Sequence, residues 1–325
     1  MRALKSVKDK INDRSDAALS AADLRGIFLP IPTPFEDAGD LDLTGLRANI
    51  TQWNATGIAG YVMLGSTGER VHLNEREYLE VIAAGRDEVE RAADLKFIVG
   101  AGQQSTRETI NETKRVAAAA GAVDAFLLIT PHFYRPSITQ SALLDHYQSV
   151  ADACPAPVIL YSMPALTGVK IEPETAARLS EHENIIGLKD SSADLAGLQK
   201  TIELVRDDFA VLTGNGTVLH GALTAGATGG ILAVGCVAPD LCLEIFQAID
   251  NGDNDRALEL QSSLTPLATA VTTKYGIGGL KAALEMRGYV GGAVRAPLRP
   301  AGDEARAEIR DCLSVADNAL QALVS

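Results

Sequence analysis

Residues Ile185–Asp194 read IIGLKDSSAD. Ile185, Ile186 and Leu188 form a short apolar run that does not alternate with polar residues, as expected of a strand buried on both faces in a parallel sheet. Lys189 follows at once, and then Asp190, Ser191 and Ser192. Two readings of the lysine are open. The strand ends there and the amine reaches water along its aliphatic stem, or the amine stands at a strand mouth because it does chemistry.

Seven further runs share this character: GIFLPIPTPF from Gly26, GYVMLG from Gly60, KFIVGAG from Lys96, AFLLIT from Ala125, PVILYSMP from Pro157, FAVLTG from Phe209 and GGILAVG from Gly229. Between them, LTGLRANITQWNA, NEREYLEVIAAGRDEVERA and the stretch Thr109–Ala120 place apolar residues three and four apart, the period of a helix. Glu75 and Glu77 fall in the first turn of the helix starting near Asn74, where acids suit the helix dipole. Eight strand–helix units over residues 26–236 predict a (β/α)8 TIM barrel, a fold of ~250 residues. A doubly wound sheet would need a dinucleotide fingerprint. The nearest candidate, GAGQQS from Gly100, carries Ser105 at the third glycine position and fails. Residues 237–325 read as a C-terminal helical extension packed on the barrel, and residues 1–25 as an N-terminal arm.

Acidic residues outnumber basic ones 42 to 29, and a net charge of −13 repels a phosphate backbone, so nucleic acid is not an expected partner. No apolar stretch approaches the ~20 residues of a membrane span. Asp9, Asp13, Asp16 and Asp23 do not suit a transit peptide, and no apolar core for export precedes them, which predicts a cytoplasmic protein. Cys154, Cys236, Cys242 and Cys312 are scattered and read as packing thiols in a reducing compartment. The five histidines form no ligand cluster, and His132 and His146, the nearest pair, match no helical metal motif. No metal is expected.

In such a barrel the site lies at the C-terminal ends of the strands. Strand two ends in GSTGE, Gly65–Glu69. Its glycines permit a tight turn, and Ser66 and Thr67 set hydroxyls beside backbone N–H groups that can hold a small carboxylate; an ordinary glycine-rich loop is the plainer alternative. Strand five ends with Tyr161 before Pro164, a packing residue or a proton carrier. Strand six ends in Lys189. Desolvation favours the neutral amine, which can attack a ketone and form a Schiff base. The iminium withdraws electrons, so a bond β to it forms or breaks without metal, and a nearby phenol can move the protons.

These segments resemble the pyruvate-dependent class I aldolases that include dihydrodipicolinate synthase and N-acetylneuraminate lyase. The likeness runs from Gly26 to Pro300 through PIPTPF (Pro30–Phe35), GSTGE, TPHFYRPS (Thr130–Ser137), YSMPALTG (Tyr161–Gly168), GLKDSS and RAPL (Arg295–Leu298). The wording of NIIGLKDSSAD and YGIGGLKAALEMRGYVGGAVRAPL is most like 4-hydroxy-2-oxoglutarate aldolase. The resemblance implies Lys189 as the Schiff-base lysine, with no cofactor beyond that imine. Tyr161 and Ser66 become proton relays, and Thr67 and Gly65, with Ser191 and Asn215, become the binding set for a 2-oxo acid. It also implies a homotetramer in which a neighbouring subunit completes the site.

Three positions depart from the relatives. Leu166 replaces the arginine with which the synthase holds its second substrate's carboxylate, a two-pronged anion grip that an aliphatic cannot supply. The stretch Gly214–Thr217 lacks the acids with which the sialate lyase binds sugar hydroxyls. Phe133 replaces a tyrosine that reaches across the dimer, so Tyr134 or a water stands in for it, or the relay is shorter. The expected reaction is retro-aldol cleavage of a 4-hydroxy-2-oxo acid, such as 4-hydroxy-2-oxoglutarate, to pyruvate and an aldehyde. The alternatives are dihydrodipicolinate synthesis from pyruvate and aspartate semialdehyde, dehydration of a deoxy sugar acid, and a non-catalytic 2-oxo acid binding barrel. A phosphate-binding barrel built on GNG and GGILAVG ranks last.

Overall fold

Eight parallel strands pair in chain order and close into a barrel: β1 (Gly26–Pro30), β2 (Gly60–Met63), β3 (Lys96–Ala101), β4 (Ala125–Ile129), β5 (Val158–Ser162), β6 (Ile185–Asp190), β7 (Ala210–Thr213) and β8 (Gly229–Ile231). This computed structural model describes residues 19–322 apart from 93, 121 and 122. The expected arm therefore lies outside the described residues up to position 18. Nearly every strand residue is buried, as the unbroken apolar runs require. Glycine sits where strands approach too closely for a side chain: a Cβ at Gly60 would lie 2.4 Å from Lys96 O, and one at Gly229 would lie 2.0 Å from Gly26 O.

Two cores result. Inside the barrel, Phe28, Val62, Ile98, Leu127, Ile159, Leu212 and Ile231 pack around Leu24. The turn Ala21–Asp23 carries Leu24 there, and the Asp23 carboxylate accepts from the Ser20 N–H at 2.9 Å and from Lys96 Nζ at 3.0 Å. Those bonds, the Ser20 amide foremost, hold Asp23 down at about 2. Outside the barrel, the opposite strand faces meet the helices α1 (Leu43–Trp53), α2 (Glu75–Val89), α3 (Thr106–Ala120), α4 (Gln140–Ala153), α5 (Pro173–Ser180), α6 (Leu195–Leu204), α7 (Leu219–Thr224) and α8 (Pro239–Asp250). Helix α2 starts at the expected place: Asn74 Oδ1 accepts from Glu77 N–H, and the Glu77 carboxylate accepts from Asn74 N–H, each at 3.0 Å.

Helix α8 packs on β1 and α7, which makes it the eighth barrel helix. Beyond residue 236, α8 is followed by α9 (Asn254–Thr269), α10 (Gly276–Met286) and α11 (Asp303–Gln321), packed on one another and on the barrel wall. The segment after α10 returns to the barrel mouth, where Ala293 bridges Phe35. Cys236 and Cys242 lie in the core, and all four thiols are free. Among the described residues, no helix is long and apolar enough to cross a membrane, and no cluster of ligand side chains could hold a metal.

Candidate active site

Lys189 and Tyr161 are paired across β5 and β6, and strand pairing places both side chains at the C-terminal mouth. Both are buried. The Lys189 amine lies 4.3 Å from the centre of the Tyr161 ring, a cation–π distance. The Tyr161 hydroxyl in turn stands 3.4 Å from Ser66 Oγ. Amine, phenol and hydroxyl thus form one line from β6 across β5 to the loop after β2. Lys189 does not snorkel to water.

GSTGE folds into one 3-10 turn, Ser66–Gly68, whose bonds begin at Gly68 N–H to Gly65 O, 3.1 Å. The N–H groups of Ser66 and Thr67 therefore stand outside the turn's own ladder, available to an anion. Gly65 and Thr67 are buried and Ser66 half-buried. The turn is entered and left by two non-glycine residues in the left-handed region, Leu64 (φ 55°) and Glu69 (φ 53°), conformations held only where surroundings enforce them. At Leu64 the enforcement is visible: Gly100 on β3 lies so close that a Cβ there would be 2.4 Å from Leu64 O.

Ser191 stands beside Lys189, its N–H donating to Ser162 O at 3.0 Å. Both depend on Gly214, where a Cβ would come within 1.9 Å of Ser191 Oγ and 2.6 Å of Lys189 Cε. Asn215 takes a more local part than its binding assignment foresaw. Its Oδ1 accepts from Thr217 N–H at 3.0 Å and from the Thr217 hydroxyl at 2.8 Å, which leaves the amide nitrogen as the group able to face a ligand. Phe133 and Tyr134 are 73% and 69% exposed and meet edge to face at 5.1 Å. Among the described residues, neither ring bonds to Ser66, Tyr161 or Lys189. Gln104 pins their loop, its Oε1 accepting from the N–H groups of His132 and Phe133 at 2.9 and 2.8 Å. Leu166 is 65% exposed on the next loop.

Several supporting residues went unassigned in the sequence. Thr33, in PIPTPF, donates its hydroxyl to Gly68 O at 2.7 Å. Glu69, almost wholly buried, has Lys281 Nζ of α10 at 2.7 Å from Oε1, an ionic contact, since Oε1 accepts no well-aligned hydrogen bond. Its Oε2 accepts from Arg295 N–H and faces His72 Nδ1, both at 3.2 Å. The Arg295 guanidinium grips Glu77 with two bonds, 2.6 and 2.8 Å, which hold the Glu77 carboxyl down at about 2. The Lys281 amine and the Arg295 guanidinium lie 4.6 and 4.3 Å from the centre of the Phe35 ring. Burial pulls Lys281 below the ordinary lysine value, with Glu69 opposing.

A buried strand-end lysine beside a phenol at the C-terminal mouth of a (β/α)8 barrel defines a class of enzyme, the Schiff-base or class I aldolases and lyases. The chain belongs to the Dihydrodipicolinate synthetase family, whose pattern matches residues 23–316, and it is a pyruvate-dependent aldolase of that family. It is 40% identical over 291 residues to the 4-hydroxy-tetrahydrodipicolinate synthase of Methanothrix thermoacetophila, spanning 89% of this chain and 96% of the relative. Its fold matches the dihydrodipicolinate synthase of Thermotoga maritima with a TM-score of 0.85 at 31% identity, covering 90% of this chain and 98% of that one. A monomeric dihydrodipicolinate synthase variant matches with a TM-score of 0.86 at 30% identity, covering 91% and 98%.

Proposed function

We propose that Lys189 Nζ attacks the ketone carbon of pyruvate, that loss of water gives an imine, and that removal of a methyl proton gives an enamine. The enamine carbon then bonds to an aldehyde carbon, the new alkoxide takes a proton, and water or the product's own amine releases the lysine. Tyr161 and Ser66 carry the protons, Thr67 and the N–H groups of the turn after Gly65 hold the pyruvate carboxylate, and Ser191 flanks the amine. No cofactor beyond the covalent imine is required. The observation that carries this reading is the buried Lys189 amine on the face of a phenol that reaches Ser66.

The names of the relatives favour the synthase direction, condensation of pyruvate with an aldehyde, over the cleavage read from the sequence. One observation favours cleavage of a 4-hydroxy-2-oxo acid: Leu166 stands exposed where the synthase arginine was expected. We further propose that Val71, Phe133, Tyr134 and Leu166, the four most exposed large apolar side chains described, are covered in a homo-oligomer. Free thiols suit a reducing, cytoplasmic setting.

Borohydride reduction in the presence of pyruvate, followed by peptide mass spectrometry, tests the chemistry. The expected result is an adduct on the Lys189 peptide that disappears in Lys189→Ala. Turnover retained by Lys189→Ala sinks the mechanism. A screen of aspartate semialdehyde against 4-hydroxy-2-oxoglutarate then separates synthesis from cleavage.

A further inference from the structure

Three segments of the molecule have conspicuous places in the sequence and no part in the imine chemistry: PIPTPF after β1, the middle of α10, and the strip ending at Arg295. The structure brings all three onto one residue. Glu69 closes the GSTGE turn in a left-handed conformation, and Lys281 on α10, Arg295 and His72 surround its carboxylate. Phe35 supplies the floor under both cations, and Thr33 ties the carbonyl of the preceding Gly68. Lys281 is as buried as Glu69, 3% against 1% for the side chains.

A carboxylate at this position is a liability. It lies two residues from Thr67, in the turn that the proposed reading gives to an anionic substrate, and like charges repel more strongly in a poorly solvated site than in water. A buried carboxylate without a partner is also costly in itself. We infer that Lys281, from the C-terminal extension, is a positioning residue for substrate binding: it cancels the charge of Glu69 and fixes the turn so that Ser66 and Thr67 present their N–H groups to the pyruvate carboxylate. The extension is then part of the substrate site, although none of its residues touches the reacting atoms. This inference rests on the imine reading.

The test uses the full-length chain and needs no aldehyde. Pyruvate is titrated, the imine is reduced with borohydride, and the Lys189 adduct is quantified for its half-saturating concentration and its plateau. Lys281→Met is expected to raise the half-saturating concentration about tenfold or more with the plateau unchanged. Glu69→Gln removes the repelling charge and is expected to leave that concentration equal or lower. Lys281→Met/Glu69→Gln, with both charges gone, is expected to return close to the wild-type value, and it keeps the question open to measurement even where the single lysine variant does not fold.

A role in packing alone moves both single variants in the same direction and leaves the double variant at least as weak as either, and that pattern overturns the inference. So does a half-saturating concentration unmoved in Lys281→Met. Wild-type protein that yields no adduct at saturating pyruvate overturns the imine reading and this inference with it. A wild-type adduct with indifferent variants overturns this inference alone.

Discussion

The two sides of the barrel mouth are built differently. On the side of β1 and β2, the turn after Gly65 is tied down by Thr33, by the buried pair of Glu69 and Lys281, and by Arg295 gripping Glu77. On the side of β4 and β5, Phe133, Tyr134 and Leu166 stand in solvent, and Gln104 holds the loop of the first two through the backbone. Tyr161 on β5, with Lys189 beside it on β6, links the two by reaching Ser66. A carboxylate common to every turnover rewards a preorganised grip, because the cost of ordering the groups is met on folding and not on binding. In the proposed reading, the open side is where the partner of pyruvate, or another copy of the chain, meets the site.

The largest effect belongs to the residue that both sides share. Tyr161→Phe should slow imine formation by about 10²–10⁴-fold, as for other positioned acid–base groups, measured by rapid quench with borohydride; an unchanged rate removes the phenol from the relay. Next comes the closed side's anchor. Arg295→Ala leaves Glu77 without its two-bond partner and Phe35 with Lys281 as its one remaining cation. It should cost about 3 kcal/mol in urea unfolding, the lower end for breaking a buried pair. A loss below 1 kcal/mol would mean that the closed side is not held by charge.

Acid should undo the two sides in sequence. His146 on α4, below the open side, is buried with Nδ1 at 2.9 Å from Thr106 Oγ1 and Nε2 unpartnered, and burial lowers it from 6.5 to about 4. The unfolded chain therefore takes up this proton first, and stability falls as the pH drops from about 6.5 to about 4, by about 3 kcal/mol at a cost of roughly 1.4 per tenfold change in proton affinity. Glu77 on the closed side has a depressed value, so its contribution is complete above about 4.5 and is lost only as the pH falls towards about 2. Hydrogen exchange at stepped pH should show α4 opening before α2, and His146→Gln should flatten the upper limb alone. Simultaneous opening would mean that the two sides are one cooperative unit.

The sequence made one side more legible than the other, for physical reasons. Strands buried on both faces leave apolar runs that need no tertiary information, so all eight were readable, and reactive residues at strand ends follow from the fold. Lys189, Tyr161 and Ser66 were accordingly singled out, and they stand together in the structure. The helix after β8 has the same amphipathic look as those of the extension, and nothing in its composition shows that it packs on β1. The pair of Glu69 and Lys281 spans more than two hundred positions, and no periodicity links charges so far apart. Gly214 was visible as a loop glycine, but only the neighbouring strand shows that its missing side chain makes room for Lys189.

The smallest effect on the protein itself is expected at Leu166, and it sharpens the comparison most. A side chain that is 65% exposed can be changed with little consequence for folding, so Leu166→Arg should alter stability by no more than about 0.5 kcal/mol. Its consequence for the second substrate should be larger. A guanidinium can hold a carboxylate with two parallel bonds, which leucine cannot, so KM for aspartate semialdehyde should fall about tenfold, the worth of one added charged hydrogen bond. The pyruvate concentration that half-saturates Lys189 should not move, because that grip is built on the other side of the mouth. If both constants shift together, the two sides are not independent binding surfaces. If neither shifts, the loop after β5 does not meet the second substrate, and the search for its anion grip passes to the loop after β4, where Arg135 lies along Gly168.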